Sequence, residues 1–341
     1  ARPVSWLKRA CEREKRKHSI SLFLALSQPL QPLFSFSHLH HHLLHLLPSC
    51  ASLPVSIKRV SLARAEQRET PFITKAPMGK LPALEDPSAF GSGPGSFLPE
   101  SGAILRYLCR TLLSSKTSPF YHFYPHLDPA AAALVDAAVG WHFSALRPGC
   151  SGVVWALVLA GTVPRGGTAR RAEAESPAAA RAALASLELA LDALEGGGQQ
   201  ISSSSSSSSG GGEGSGGSGG GLSSSSPSWW LLSPDGGFLA GRSRLSIADF
   251  LVATELDQLR LLEALEGGEG GGSGSGSGGG ENNPTVSFEA LLAPRPRVRA
   301  YLSRVREACG PAEWDRVSAV LGKVVANLKR KRTRGGGGGG G

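Results

Sequence analysis

Nothing in this chain of 341 residues reads as a membrane span, because no apolar run is long and clean enough to cross a bilayer. Cysteine is scarce. The five present (Cys11, Cys50, Cys109, Cys150 and Cys309) are scattered, odd in number and without metal-ligand spacing. That excludes a disulfide framework and fits free thiols in a reducing compartment. No carboxylate or cysteine is arranged with the His/Leu tract His38–His45, so the tract reads as low complexity and no metal is expected. Apolar patterning is missing from 196–228 and 267–280, which are Gly/Ser runs, and from the glycine-only 335–341. Such tracts bury too little surface to offset chain entropy, so they read as flexible inserts and a disordered end.

What remains is large enough for two modest cores. The formal net charge of +9 is concentrated towards the ends, in Lys8–Lys17 and Lys329–Arg334. A basic tail can be a solvated helix end, a nuclear address or a nucleic-acid contact. No base-reading motif or aromatic residue accompanies it, so nucleic acid is a secondary expectation. The chain begins with Ala1 rather than Met, which fits a fragment or processed form. Residues 1–54 read as an irregular or mis-joined region, with a targeting peptide as one account.

Two segments carry the chemistry. In Pro77–Leu84, Pro82 stands where a short apolar strand begins, a place that owes no ladder N–H. A cis bond there would turn the Leu81 backbone outward to pair with an extended ligand. Glu100-Ser101 then opens an amphipathic helix with Ile104, Leu105, Leu108 and Leu112 at helical spacing. A hydroxyl at that helix start can bind a carboxylate together with the unpaired N–H groups. Further on, Ser176-Pro177 reads as a cap followed by proline at the first helical position. Leu245-Ser246-Ile247-Ala248-Asp249-Phe250 reads as a capping box with a hydrophobic staple.

Taken in order, these residues resemble the glutathione transferases, most closely the theta class. The resemblance runs over Val60–Leu84 and Phe97–Leu108 and in patches to Lys329. It implies an α/β thioredoxin-like N-terminal domain and an all-α C-terminal domain, expected at 55–114 and 119–330, with the inserts inside the second and a disordered tail at 331–341. It implies that Gln67, Lys80, Leu81, Pro82, Glu100 and Ser101 bind glutathione. Ser27-Gln28-Pro29, after the apolar Leu22–Leu26, matches the letters of the theta-class motif whose serine donates to the glutathione sulfur. The stretch from there to Val60 is longer than the family pattern and the usual following Arg is absent. The first strand and its serine are therefore expected to be degenerate or missing. Trp141-His142-Phe143-Ser144-Ala145-Leu146-Arg147 resembles the segment lining the electrophile site, which implies Trp141, His142 and Arg147 there, with Arg147 also a candidate catalytic charge.

The resemblance implies an enzyme of detoxification that conjugates glutathione, as co-substrate, to small electrophiles, with reduction of organic hydroperoxides as a further activity. It also implies a cytoplasmic homodimer, the basic tail adding a nuclear alternative. A non-catalytic binding protein of the same fold is the competing reading. A basic-tailed nucleic-acid-associated protein is the third.

Overall fold

A computed structural model of the chain describes residues 20–25, 55–61, 64–113, 115–118, 120–159, 176–196, 232, 237–265 and 286–335. Four strands form one sheet: β1 (Ile20–Ala25), β2 (Val55–Val60), β3 (Ala83–Glu85) and β4 (Phe97–Pro99). Their order is β2-β1-β3-β4. β1 runs parallel to β2 and antiparallel to β3, and β3 is antiparallel to β4.

One part of the expectation for residues 1–54 is corrected: the first strand is present, since Ile20–Ala25 is a central strand of the sheet, and the rest of that region lies outside the described residues. Its residues suit that place because both faces are covered. Ile20, Leu22 and Leu24 are buried in the main core, while Phe23 turns the other way. Phe23 stacks on Phe97 at 4.7 Å between ring centroids and meets Phe72 edge-on at 5.8 Å.

Short helices α1 (Phe72–Lys75) and α2 (Pro87–Phe90) occupy the connections on either side of β3. α2 interrupts what the sequence suggests is a plain hairpin loop; Asp86 caps it by accepting from Ser88 N at 3.0 Å. α3 (Ser101–Leu112) buries Ile104, Leu105 and Leu108 against the sheet, with Leu112 half-buried at its end.

The rest is helical. α4 (Pro129–Trp141) starts at Asp128, whose carboxylate accepts from Ala131 N at 3.1 Å. It passes through a π-helical turn, His142–Leu146, into α5 (Arg147–Val154) and a second π turn, Trp155–Leu159. α6 (Pro177–Glu195) is capped by Ser176 as the sequence suggests. α7 (Ile247–Asp257) is buried along its whole length, at the centre of the domain. Its capping box forms: Asp249 Oδ2 accepts from Ser246 N and Ser246 Oγ, each at 2.7 Å, and Leu245 and Phe250 are both buried. A 3₁₀ stretch, Gln258–Leu265, continues it. α8 (Phe288–Leu292), α9 (Pro296–Cys309) and α10 (Pro311–Gly335) complete the described chain. α10 corrects a second boundary, for helix runs through 331–335, where disorder is expected from the sequence. No described helix is long and apolar enough to cross a membrane.

Candidate functional site

The strand register gathers the expected ligand residues at one edge of the sheet. Ala25, the last residue of β1, pairs with Val60, the last of β2. Phe23 pairs with Ala83, the first residue of β3, and Ala83 pairs with Pro99, the last of β4. The segments leaving β1, β2 and β4 and the segment entering β3 therefore lie together. Gln67 follows β2, Leu81 precedes β3, and Glu100 and Ser101 follow β4.

Leu81 is half-buried and its bond to Pro82 is cis. Among the described residues no backbone hydrogen bond reaches Leu81, so its N–H and C=O remain available to an extended ligand. Gly79 makes the approach to Gln67 close. It has φ +58°, and a Cβ there would lie 3.3 Å from the Gln67 carbonyl oxygen and 3.1 Å from Ile73 Cδ1. Gln67 itself stands in a 3₁₀ turn, Glu66–Arg68, with Oε1 buried and without a partner among the described residues. Lys80 is exposed beside them.

Glu100 and Ser101 do not cap α3. Glu100 occupies the cap position at φ +69° and its side chain makes no cap hydrogen bond. A non-glycine residue in that region costs about 1–3 kcal/mol and persists only where its surroundings fix it. Ser101 is 1% exposed, and its Oγ has no partner among the described residues. A buried hydroxyl left unsatisfied costs about 1–3 kcal/mol. It sits at the first turn of a 12-residue helix, where unpaired N–H groups and the helix dipole both favour an anion.

The helical domain closes the site from the other side. A Cβ on Gly102 would lie 3.3 Å from Phe143 Cε2, so the Phe143 ring covers the start of α3. Arg147 stacks over that ring, its guanidinium carbon 5.9 Å from the centroid. Arg106 Nε donates to Asp136 Oδ1 at 2.6 Å and Tyr124 OH to Oδ2 at 3.0 Å, tying α3 to α4 through one carboxylate.

His142 is not at this face. It is fully buried, with Nε2 3.1 Å from Glu255 Oε2, and Ser151 Oγ donates to the other Glu255 oxygen at 3.1 Å. The electrophile-site expectation for His142 is therefore corrected: a side chain held inside the helical bundle cannot line an open pocket. Trp141 is half-buried against the core. Phe143, part of the same segment but given no role from the sequence, is the residue whose ring covers the start of α3. Ser27 lies outside the described residues, as does the His38–His45 tract. Cys109 is 1% exposed and burial pushes its thiol pKa well up, which suits packing. Among the described residues no group of three or more His, Cys, Asp or Glu could hold a metal ion.

Comparison with known proteins bears on the fold. Residues 32–110 match the model of the glutathione S-transferase N-terminal domain. Glutathione S-transferase theta-1 of Bos taurus is 30% identical over 172 residues, 50% of this chain and 58% of that protein. Human glutathione S-transferase theta-2 is 32% identical over 143 residues, 41% of this chain and 48% of that protein. The chain thus spans about half the length of these relatives. In solved structures, apo human glutathione S-transferase T1-1 superposes with a TM-score of 0.54 at 20% identity, covering 93% of this chain and 97% of that one. Human glutathione transferase theta-2 in complex with glutathione gives 0.53 at 19%, covering 92% and 91%. These likenesses show the fold: a thioredoxin-like domain with a mixed four-stranded sheet, followed by a helical domain.

Proposed function

We propose, on the premise that this chain belongs to the glutathione transferase family, that it binds glutathione at the shared strand edge and adds its thiolate to small electrophiles. The observation that carries this reading is the Ser101 hydroxyl at the start of α3, buried and without a partner among the described residues. In this reading Ser101 Oγ and the first α3 N–H groups hold the γ-glutamyl carboxylate, and Glu100 pairs with the γ-glutamyl amine. The Leu81 N–H and C=O pair with the cysteinyl backbone. Gln67 and Lys80 take the glycyl carboxylate.

The thiol then lies near the end of β1. Ser27, two residues beyond Ala25 in the sequence, is the proposed donor to sulfur. A hydroxyl donating to thiolate favours its formation at neutral pH. The thiolate attacks the electrophilic carbon, the C–S bond forms, and the leaving group departs with its electron pair. Phe143 and Trp141 offer apolar surface to the electrophile, and Arg147 offers positive charge for the departing anion. Reduction of organic hydroperoxides, a homodimer and a cytoplasmic location belong to the same proposal.

The test uses the full chain. Titration calorimetry with glutathione is expected to show one site per chain. Ser101→Ala is expected to weaken it at least about tenfold, the scale of a hydrogen bond to a charged group, while the melting temperature of the free protein stays unchanged or rises. Turnover is followed with an aryl halide, an arylmethyl sulfate and an organic hydroperoxide. Ser27→Ala is expected to lower kcat on the order of a hundredfold. Binding without turnover of any of the three would assign the chain as a glutathione-binding protein instead, and absence of binding would end both readings.

A further inference from the structure

Two polar side chains of the helical domain meet on one buried carboxylate. Glu255 lies near the end of α7 and is 1% exposed; its two oxygens meet His142 Nε2 and Ser151 Oγ, each at 3.1 Å. His142 opens the first π turn and Ser151 lies beyond its end, on α5. The two are nine positions apart in the chain. A regular α-helix would separate them by about two and a half turns and set them on opposite sides. The π turn takes more residues to go round, which brings them toward the same side. One carboxylate on a neighbouring helix therefore holds the run before and after the π turn. Releasing either partner would strand a buried polar group, so the arrangement resists change.

Phe143 follows His142 directly. Its ring meets the imidazole edge-on at 4.8 Å between centroids. The same ring covers the start of α3, where a Cβ on Gly102 would lie 3.3 Å from Phe143 Cε2. A chain of contacts thus runs from Glu255 through His142 and Phe143 to the turn that carries Ser101. Glu255 itself is on the far side of His142 from that turn and belongs to none of the residues assigned to glutathione.

We infer that Glu255 is a positioning residue for the site at the start of α3: by holding His142 and Ser151 together, it fixes the π turn that lays the Phe143 ring there. Treating that place as the γ-glutamyl subsite rests on the function proposed above. The ring keeps water from the first turn of α3, and an anion is held more tightly where the local dielectric is low.

The test has two arms, both on the full chain. In the first, para-fluorophenylalanine replaces Phe143 and its fluorine resonance is read in the free protein. Glu255→Gln keeps the size of the side chain but removes one acceptor oxygen. It is expected to shift the resonance, and Ser151→Ala to shift it the same way by less. In the second arm, calorimetry measures glutathione affinity. Glu255→Gln is expected to weaken it at least about fivefold, the lower end for coupling between separate sites. Turnover is expected to show a higher KM for glutathione with kcat retained. In a Phe143→Ala background the same substitution is expected to add nothing, because the route through the ring is gone. Circular dichroism confirms folding, and if Glu255→Gln fails to fold, Ser151→Ala carries both arms. An unmoved resonance, unchanged glutathione affinity, or losses that simply add in the double variant would overturn the inference. A shifted resonance in a protein that binds no glutathione would end the proposed function and leave Glu255 as the residue that places Phe143.

Discussion

Asp249 is a charged group stationed where a charge is costly. It is fully buried at the start of α7, with Oδ1 accepting from Leu239 N at 2.8 Å and Oδ2 from the Ser246 N–H and hydroxyl. Burial raises its pKa from 3.8 to about 6, and the hydrogen bonds only moderate the rise. The folded protein thus holds this proton more tightly than the unfolded chain. Its contribution to stability is full below about pH 3.8, declines as pH rises, and is gone above about pH 6. Asp249→Asn removes the titration. Urea unfolding is expected to show a wild-type-minus-variant stability difference about 2 kcal/mol larger at pH 4.5 than at pH 7.5. A difference that is flat with pH would place the Asp249 pKa at its ordinary value. Tyr107 shows a related effect nearer the site: burial, then its hydrogen bond to Asp86, pushes its pKa up to about 12.

Between elements, α5 packs tightly on α6. A Cβ on Gly149 would lie 2.7 Å from Leu187 Cα and N, and one on Gly152 would lie 2.8 Å from the Ala183 Cβ. Gly149 meets backbone, which cannot step aside. Gly149→Ala is expected to cost about 1–3 kcal/mol in chemical denaturation, with the midpoint falling at unchanged slope. The same helices show what local chemistry announces. Asp128-Pro129, Ser176-Pro177 and Ser246…Asp249 are short-range signals, and each starts a helix where it stands. β1 gives no such signal. It is six residues long, covered on both faces and without alternation, inside a low-complexity neighbourhood. Only pairing with β2 and β3, distant in sequence, identifies it. The site divides similarly. Leu81 and Ser101 carry local signals, a proline at a strand start and a hydroxyl at a helix start, whereas Gln67 is named only through the family resemblance. Phe143 was not readable, because it lies in a π turn, where the extra residue shifts the facing side relative to a regular helix.

At the scale of the whole molecule, Arg297 at the start of α9 joins distant parts of the chain. Arg297 Nη1 donates to the Glu195 carbonyl at 2.7 Å, and Nη2 to the Leu232 carbonyl at 3.3 Å. Those two carbonyls stand on either side of residues 197–231, which hold most of the long Gly/Ser run. The Glu195 carboxylate returns the contact by accepting from the N–H groups of Arg297 and Val298, each at 3.0 Å. Closure entropy grows only as the logarithm of length, about 0.6 kcal/mol per doubling. Cutting 197–231 to about ten residues is therefore expected to raise stability by only about 1 kcal/mol, read as a small upward shift in melting temperature. A large loss on shortening would show that the segment packs on the fold.

That neck has a consequence for inheritance. Runs of one repeated residue gain and lose copies readily when DNA is replicated, and most such changes in a folded chain are removed by selection. Here one arginine bonds the described residues on both sides, so a change in the number of serines and glycines between them is expected to leave the fold in place. Alleles differing only in the length of this run are expected to be interchangeable in fold, and the run is a natural place for foreign sequence to be carried.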